Sequence, residues 1–167
     1  LEKVVSKVLD GVDVRILDIL QKQAELSHTE IAKRVNLSSP AIHTRIKRLE
    51  NEGYINQQVA ILNPEKLGFD LLCFIFITTD LHQADELEKL EQALEKMPEV
   101  LECQCITGEY DYLLKVANRN RQDLQLFIRK LNKLGISKIQ TNLALREVKY
   151  STVLPINETT ENNGGAR

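Results

Sequence analysis

The stretch Ser27-His28-Thr29-Glu30-Ile31-Ala32-Lys33-Arg34-Val35-Asn36-Leu37-Ser38-Ser39-Pro40-Ala41-Ile42-His43-Thr44-Arg45-Ile46-Lys47-Arg48-Leu49 decides how the first third of the chain folds. It opens on a capping box, in which the Ser27 hydroxyl and the Glu30 carboxylate satisfy backbone N–H groups reciprocally; Leu26 and Ile31 stand where a hydrophobic staple forms. The spacing predicts a short helix that stops near Asn36, a residue that tolerates the left-handed conformation of a tight turn. A second helix opens at Ser38 or Ser39, with Pro40 in its first turn, where a missing N–H costs nothing. Ile42, Ile46 and Leu49 form its inner stripe, and Gly53 is a natural stop. Upstream, Asp10 and Asp13 suit an N-cap and first turn, and Val12, Ile16, Ile19 and Leu20 repeat at helical spacing.

Two helices joined by a short turn and preceded by a third make a helix-turn-helix. In that motif the second helix of the pair enters the major groove of double-stranded DNA, and its N-terminal residues reach base edges. With Ile42, Ile46 and Leu49 inward, a helical wheel turns Pro40, Thr44, Lys47, Arg48 and Asn51 outward, with Ser39, Ala41 and His43 at the flanks. Small and polar groups thus stand at the helix start, where close approach to bases is needed. Lys47 and Arg48 lie further along, where phosphates would be, and Lys33 and Arg34 end the preceding helix. Between Lys33 and Leu49 there are five basic residues (Lys33, Arg34, Arg45, Lys47, Arg48) and no acid. A solvated helix face is the other common source of such a run. His43 reads equally as a surface side chain, and Arg45 equally as the partner of an acid.

The 167 residues carry a net charge of -2, so bulk charge does not make a general nucleic-acid binder; only the local clustering points to DNA. Apolar residues make up 43% and charged residues 28%, a globular composition. No apolar run approaches the roughly 20 residues that span a bilayer, so no membrane partner is expected. Leu1 to Val12 carries acids and lacks the apolar core of a secretory leader. Cys73, Cys103 and Cys105 fit neither a disulfide framework nor zinc-finger spacing. A reduced, cytoplasmic protein is the expectation. Cys103 and Cys105 share one strand face, which keeps a thiol or soft-metal sensor as an alternative. Against it, four ligands are normally wanted, and His28, His43 and His82 stand elsewhere in the sequence. There is no phosphate-binding glycine loop, no HExxH pair and no recognisable Ser/His/Asp motif. Neither an enzyme nor a cofactor nor a bound metal is therefore expected.

Beyond Gly53, Tyr54 to Leu62 reads as a strand-like connector, and Asn63-Pro64 with Gly68 marks a domain junction. Leu71 to Thr79 reads as a strand and Ala84 to Met97 as a helix blocked by Pro98. Val100 to Thr107 and Tyr112 to Val116 read as strands joined across Gly108 to Asp111. Arg121 to Leu134 reads as a helix stopped by Gly135, and Ile139 to Leu145 as the last strand. The fold class is therefore α+β: a helix-turn-helix domain over 1–62, then a ferredoxin-like β-α-β-β-α-β domain over 63–156. The polar, glycine-containing segment 157–167 reads as a disordered tail. Leu71 to Ile77 is apolar at every position, so both faces of its strand want burial. Two helices cover one face of a four-stranded sheet, and the other face is expected to pack on a second subunit, the alternative being that the connector and the C-terminal segment cover it within one chain.

The sequence resembles the Lrp/AsnC family of bacterial and archaeal regulators. The N-terminal likeness runs through Leu9-Asp10-Gly11-Val12-Asp13-Val14-Arg15-Ile16-Leu17, Ile31 to Ser38, Arg45 to Ile55 and Leu62-Asn63-Pro64. The C-terminal likeness runs through Thr107-Gly108-Glu109-Tyr110-Asp111-Tyr112-Leu113-Leu114, then from Gly135-Ile136 through Leu145 to Tyr150, and Leu154-Pro155. The resemblance implies a winged helix-turn-helix, a strand hinge, homodimers formed through the C-terminal sheets, and octamers built from those dimers. It further implies regulation of amino-acid metabolism by an amino-acid effector bound between dimers. On this chain the effector loop would be Thr107, Gly108, Glu109, Tyr110 and Asp111, facing Ile136, Ser137 and Thr141. The family often carries Thr at two alternate positions of the last strand; here Ile139 replaces the first. Backbone N–H groups around Gly108 could hold a carboxylate, and Asp111 or Glu109 could accept from an ammonium group. The bland reading of Gly108 to Asp111 is a hairpin turn. A DNA-organising regulator without an effector stands as the alternative function.

Overall fold

The computed structural model describes residues 9–156. The segment 157–167, read above as a disordered tail, lies outside the described residues. The described chain divides into two compact units: residues 9–60 with 149–156, and residues 61–148. The assignment of 149–156 differs from the sequence reading, which placed those residues in the second domain.

In the first unit, α1 spans Gly11–Lys22, α2 His28–Val35 and α3 Ser39–Asn51. Each start is capped by the residue that the sequence supplies. Asp10 accepts from the Asp13 N–H at 2.8 Å, and Asp13 accepts in return from the Asp10 N–H at 3.1 Å. Ser27 and Glu30 close the same kind of box on α2. Ser38 accepts from the Ala41 N–H, with Pro40 just behind it. Asn36 takes the left-handed conformation, φ 58° and ψ 50°, and so turns the chain between α2 and α3. Ile16, Leu20, Ile31, Ala32, Val35, Ile42, Ile46 and Leu49 make one buried cluster. Each fully buried aliphatic side chain contributes roughly 1.5–3 kcal/mol.

Residues 54–62, expected to be strand-like, form no strand. A strand needs a hydrogen-bonded neighbour, and within the described chain none meets this segment; Val59, Ile61 and Leu62 are exposed. Residues 149–156 return to α1. The Gln21 side-chain amide donates through Nε2 to the Leu154 backbone carbonyl at 3.0 Å, and its Oε1 accepts from the Leu154 N–H at 2.9 Å.

In the second unit, β1 is Leu71–Thr79, α4 Ala84–Glu95, β2 Val100–Cys105, β3 Tyr112–Asn118, α5 Arg121–Leu131 and β4 Ile136–Leu143. The strands form one antiparallel sheet in the order β2-β3-β1-β4, the ferredoxin-like arrangement. Leu90 and Leu94 of α4 and Phe127 and Leu131 of α5 close over Cys73, Ile75, Ile77, Tyr112, Leu114 and Val116. The alternate residues of β1 and β3 point to the other face. There Leu72, Phe76 and Leu113 are half-buried, and Phe74 is 38% exposed, on the side of the sheet away from the helices of this unit. β4 begins at Ile136, three residues earlier than expected. Gly135, at φ 74°, turns the chain straight into the strand.

Candidate DNA-reading face and ligand loop

On α3, Ile42, Ile46 and Leu49 are buried, while Pro40, His43, Thr44 and Lys47 are exposed and Ser39 and Ala41 half-buried. The Thr44 hydroxyl donates to the Pro40 carbonyl at 3.1 Å, which fixes its rotamer one turn into the helix. Lys33 and Arg34 are exposed at the end of α2. Arg34 donates to the Gln23 side chain at 2.7 Å, and Arg15 donates to the Arg34 carbonyl at 2.7 Å. Arg15 is thus a further cation beside this surface, and the helix-by-helix reading of the sequence missed it.

Arg48 departs from the expectation of an outward phosphate ligand. Its guanidinium turns onto α1 and pairs with Asp13, whose side chain is 1% exposed. Arg45 pairs with the same carboxylate and with Asp10, both at 2.7 Å. Asp13 therefore accepts from two guanidinium groups and from the Asp10 N–H, a set that satisfies a buried carboxylate. The hydrogen bond from Arg45, then that from the Asp13 N–H, hold the Asp10 carboxyl at about 2, below its ordinary 3.8. The ion pair compensates a charge that the packing of α1 on α3 has buried. Of the expected cations on this face, Lys33, Arg34 and Lys47 remain turned to solvent.

His28, at the first position of α2, was not expected on this surface. Its ring lies 5.2 Å from that of His43, centroid to centroid, with the planes tilted by 53°. Nothing in the two separate helical wheels brings these rings together; the turn at Asn36 does.

In the second unit the loop after β2 folds back on the sheet. Gly108 adopts φ 127°, open to glycine and strained for other residues. The Asp111 N–H donates to the Ile77 carbonyl at 2.9 Å, and the Asp111 carboxylate accepts from the Thr79 N–H at 2.8 Å. Thr79 in turn donates to the Gly135 carbonyl at 3.3 Å. Glu109 pairs with Lys138 at 2.6 Å, and the Lys138 hydrogen bond holds the Glu109 carboxyl below its usual range. The Tyr110 hydroxyl bonds Gln140, its ring packs on Phe76, and the Lys138 ammonium lies 4.7 Å from the ring centroid. Ser137 donates to the Thr78 carbonyl at 3.1 Å.

Within one chain, then, the loop meets Thr78, Thr79, Lys138 and Gln140, all missed by the sequence reading. Thr107, Gly108 and Glu109 are exposed, and Tyr110, Asp111 and Ile136 half-buried. Thr141 pairs with Ile75 and Ile139 with Ile77, so both share the helix-covered side of the sheet. Ile139 packs against the core cluster there. Asp111 and Glu109, read as acceptors for an ammonium group, already hold Thr79 and Lys138.

Cys73 is buried, while Cys103 and Cys105 are exposed along a groove between α4 and β2 that also holds Glu88, Glu91 and Tyr112. The Tyr112 hydroxyl donates to Glu91 at 2.8 Å. Desolvation of the sulfur inside the groove, then the negative charge of Glu91, pushes the Cys103 thiol up, the opposite of what a reactive thiolate needs. Among the described residues no three His, Cys, Asp or Glu side chains gather as metal ligands, and no helix is long and apolar enough to cross a membrane.

Comparison with known proteins finds two matching domains, the second reaching into the 149–156 segment that packs with the first unit. Residues 9–56 match the profile of winged helix-turn-helix DNA-binding domains, and residues 72–154 that of the Lrp/AsnC ligand binding domain. The DNA-binding transcriptional activator DecR of Escherichia coli K12 is 37% identical over 152 residues, covering 89% of this chain and 99% of DecR. The chain belongs to the Lrp/AsnC family. The Zymomonas mobilis glutamate uptake regulatory protein is 34% identical over 155 residues, covering 92% of this chain and 94% of that one. Among solved structures, a Neisseria meningitidis transcriptional regulator in complex with L-Met superposes with a TM-score of 0.85 at 34% identity, covering 91% and 99% of the two chains. An Agrobacterium tumefaciens AsnC-family regulator gives 0.84 at 31%, covering 90% and 99%. The protein is accordingly a DNA-binding transcriptional regulator of the Lrp/AsnC type.

Proposed function

We propose that this Lrp/AsnC protein is a sequence-specific regulator that binds DNA as a homodimer and assembles further, to octamers. In this reading α3 lies in the major groove. Ser39, Pro40, Ala41, His43 and Thr44 meet base edges, and Lys33, Arg34 and Lys47 neutralise phosphates. Arg48 supports the helix from behind through Asp13. The observation that carries the reading is the outward row His43, Thr44 and Lys47 on a helix whose other side is fully buried. The apolar outer face at Leu72, Phe74, Phe76 and Leu113 supports the dimer, and the two-fold symmetry matches two half-sites. The protein works in the cytoplasm by binding alone, without catalysis or cofactor.

The effector is a free amino acid held where Thr107 to Asp111 of one dimer meets Ile136, Ser137 and Thr141 of another. The L-Met complex of the Neisseria relative supports that ligand class, and genes of amino-acid metabolism are the corresponding targets. One observation favours the alternative, a DNA-organising regulator without an effector: both loop acids are already paired within the chain. Operator selection from random DNA, followed by footprinting and calorimetry with the common amino acids, tests both. Defined operators and one or a few amino acids that shift affinity or oligomer size support the first reading. Uniform coverage, or no binder, overturns it in the corresponding part.

A further inference from the structure

The contact between His28 and His43 has no part in the core. His43 is exposed and His28 only half-buried, so their packing removes little apolar surface from water. Among the described residues neither ring gives or takes a hydrogen bond, which leaves their nitrogens open to an outside partner. A tilted pair at 5.2 Å has the geometry that aromatic rings prefer. An exposed side chain on a helix otherwise samples several rotamers. A ring from a neighbouring helix selects among them, and a recognition group held in one rotamer needs no ordering when it meets DNA.

We propose that His28 is a positioning residue for DNA reading: from the start of α2, its ring holds the His43 imidazole in the orientation that meets a base edge. The proposal rests on the reading of α3 given above. It assigns to the supporting helix a share in specificity, exerted through a ring that need not touch the base. It also explains why the two rings stand together at the surface, with their nitrogens unengaged by any described residue.

The test uses the full chain and an operator obtained by selection, with each base pair then varied singly. Affinities are read by fluorescence anisotropy for wild type, His43→Ala, His28→Ala, the double variant and His28→Phe. His43→Ala is expected to lower discrimination at one base position by about tenfold. His28→Ala is expected to lower it at the same position by about threefold to tenfold. The double variant should be no worse than His43→Ala, because the two act through one contact. His28→Phe keeps a ring against His43 and should restore most of the discrimination; it also keeps the test alive if His28→Ala folds poorly. If His43→Ala changes the preference and His28→Ala does not, the inference fails alone. The same holds if the two add, or if His28→Phe is as defective as His28→Ala. If His43→Ala leaves every base preference unchanged, the reading of His43 fails and the inference with it.

Discussion

Asp13 of α1 and Arg45 of α3 meet at 2.7 Å, with the carboxylate 1% exposed and the guanidinium side chain 28% exposed. Breaking a buried pair from one side leaves an uncompensated charge and costs about 3–5 kcal/mol. Here the two arginines retain some access to water, so Asp13→Ala is expected at the lower end, about 3 kcal/mol. Urea unfolding followed by circular dichroism measures it. A loss below about 1 kcal/mol would show that the pair is incidental to the fold.

Lys47 and Arg48 are neighbours with different work. Lys47→Ala should leave unfolding unchanged, weaken binding to all DNA sequences, and reduce the salt slope by about one. Arg48→Ala should lower stability first, by about 2–3 kcal/mol, because Asp13 loses a partner. Parallel salt titrations and denaturant curves on the two variants separate the roles. Equal salt slopes for wild type and Lys47→Ala would remove Lys47 from the phosphate contacts.

Acid should act on the same cluster. The Asp10 carboxyl is held near 2 by Arg45, against an ordinary 3.8. A folded-state value below the unfolded one means stability that is fully present above about 4 and is lost as pH falls toward 2. The side chain is 49% exposed, so solvent screening limits this share to under about 1 kcal/mol. Wild type and Asp10→Asn should therefore differ in stability at pH 5 and converge near pH 2. A constant difference across that range would contradict the assignment.

Asp111 should matter for folding before it matters for any ligand. Its carboxylate satisfies the Thr79 N–H, and leaving such a donor unpaired costs about 1–3 kcal/mol. Asp111→Ala should destabilise the second unit by that amount, while Asp111→Asn, which keeps an acceptor oxygen, should lose less. Denaturation curves on both settle the order; equal losses would mean that the hydrogen bond is unimportant.

The open face of the sheet makes the last prediction. Phe74→Glu places a charge where an apolar partner is proposed, and should convert dimers to monomers in light scattering at micromolar concentration. An unchanged mass would put the dimer contact elsewhere.

Local chemistry was legible in the sequence wherever cause and effect lie within a few residues. Ser27 with Glu30, Asn36, Pro40 and the Ile42-Ile46-Leu49 stripe each do what their spacing indicates. The role of Arg48 was not legible, because its partner Asp13 is thirty-five positions away and on another helix. The His28 ring beside His43, and the Asp111 carboxylate on Thr79, likewise come into being only when elements pack. Tyr54 to Leu62 shows the converse: its composition is that of a strand, yet composition supplies no neighbouring strand, and in the single chain the segment stays unpaired.

The two hydrogen bonds between Gln21 and Leu154 bear on modularity. Because residues 149–156 complete the first unit, the second unit is topologically an insertion, with the polypeptide leaving the DNA-binding half and coming back to it. A gene fragment that ends at Leu62 thus encodes the three helices without the strap that closes on α1. Chimeras that graft the sensory half of one regulator onto the helix-turn-helix of another should carry the strap with the helices, and so need two crossover points instead of one.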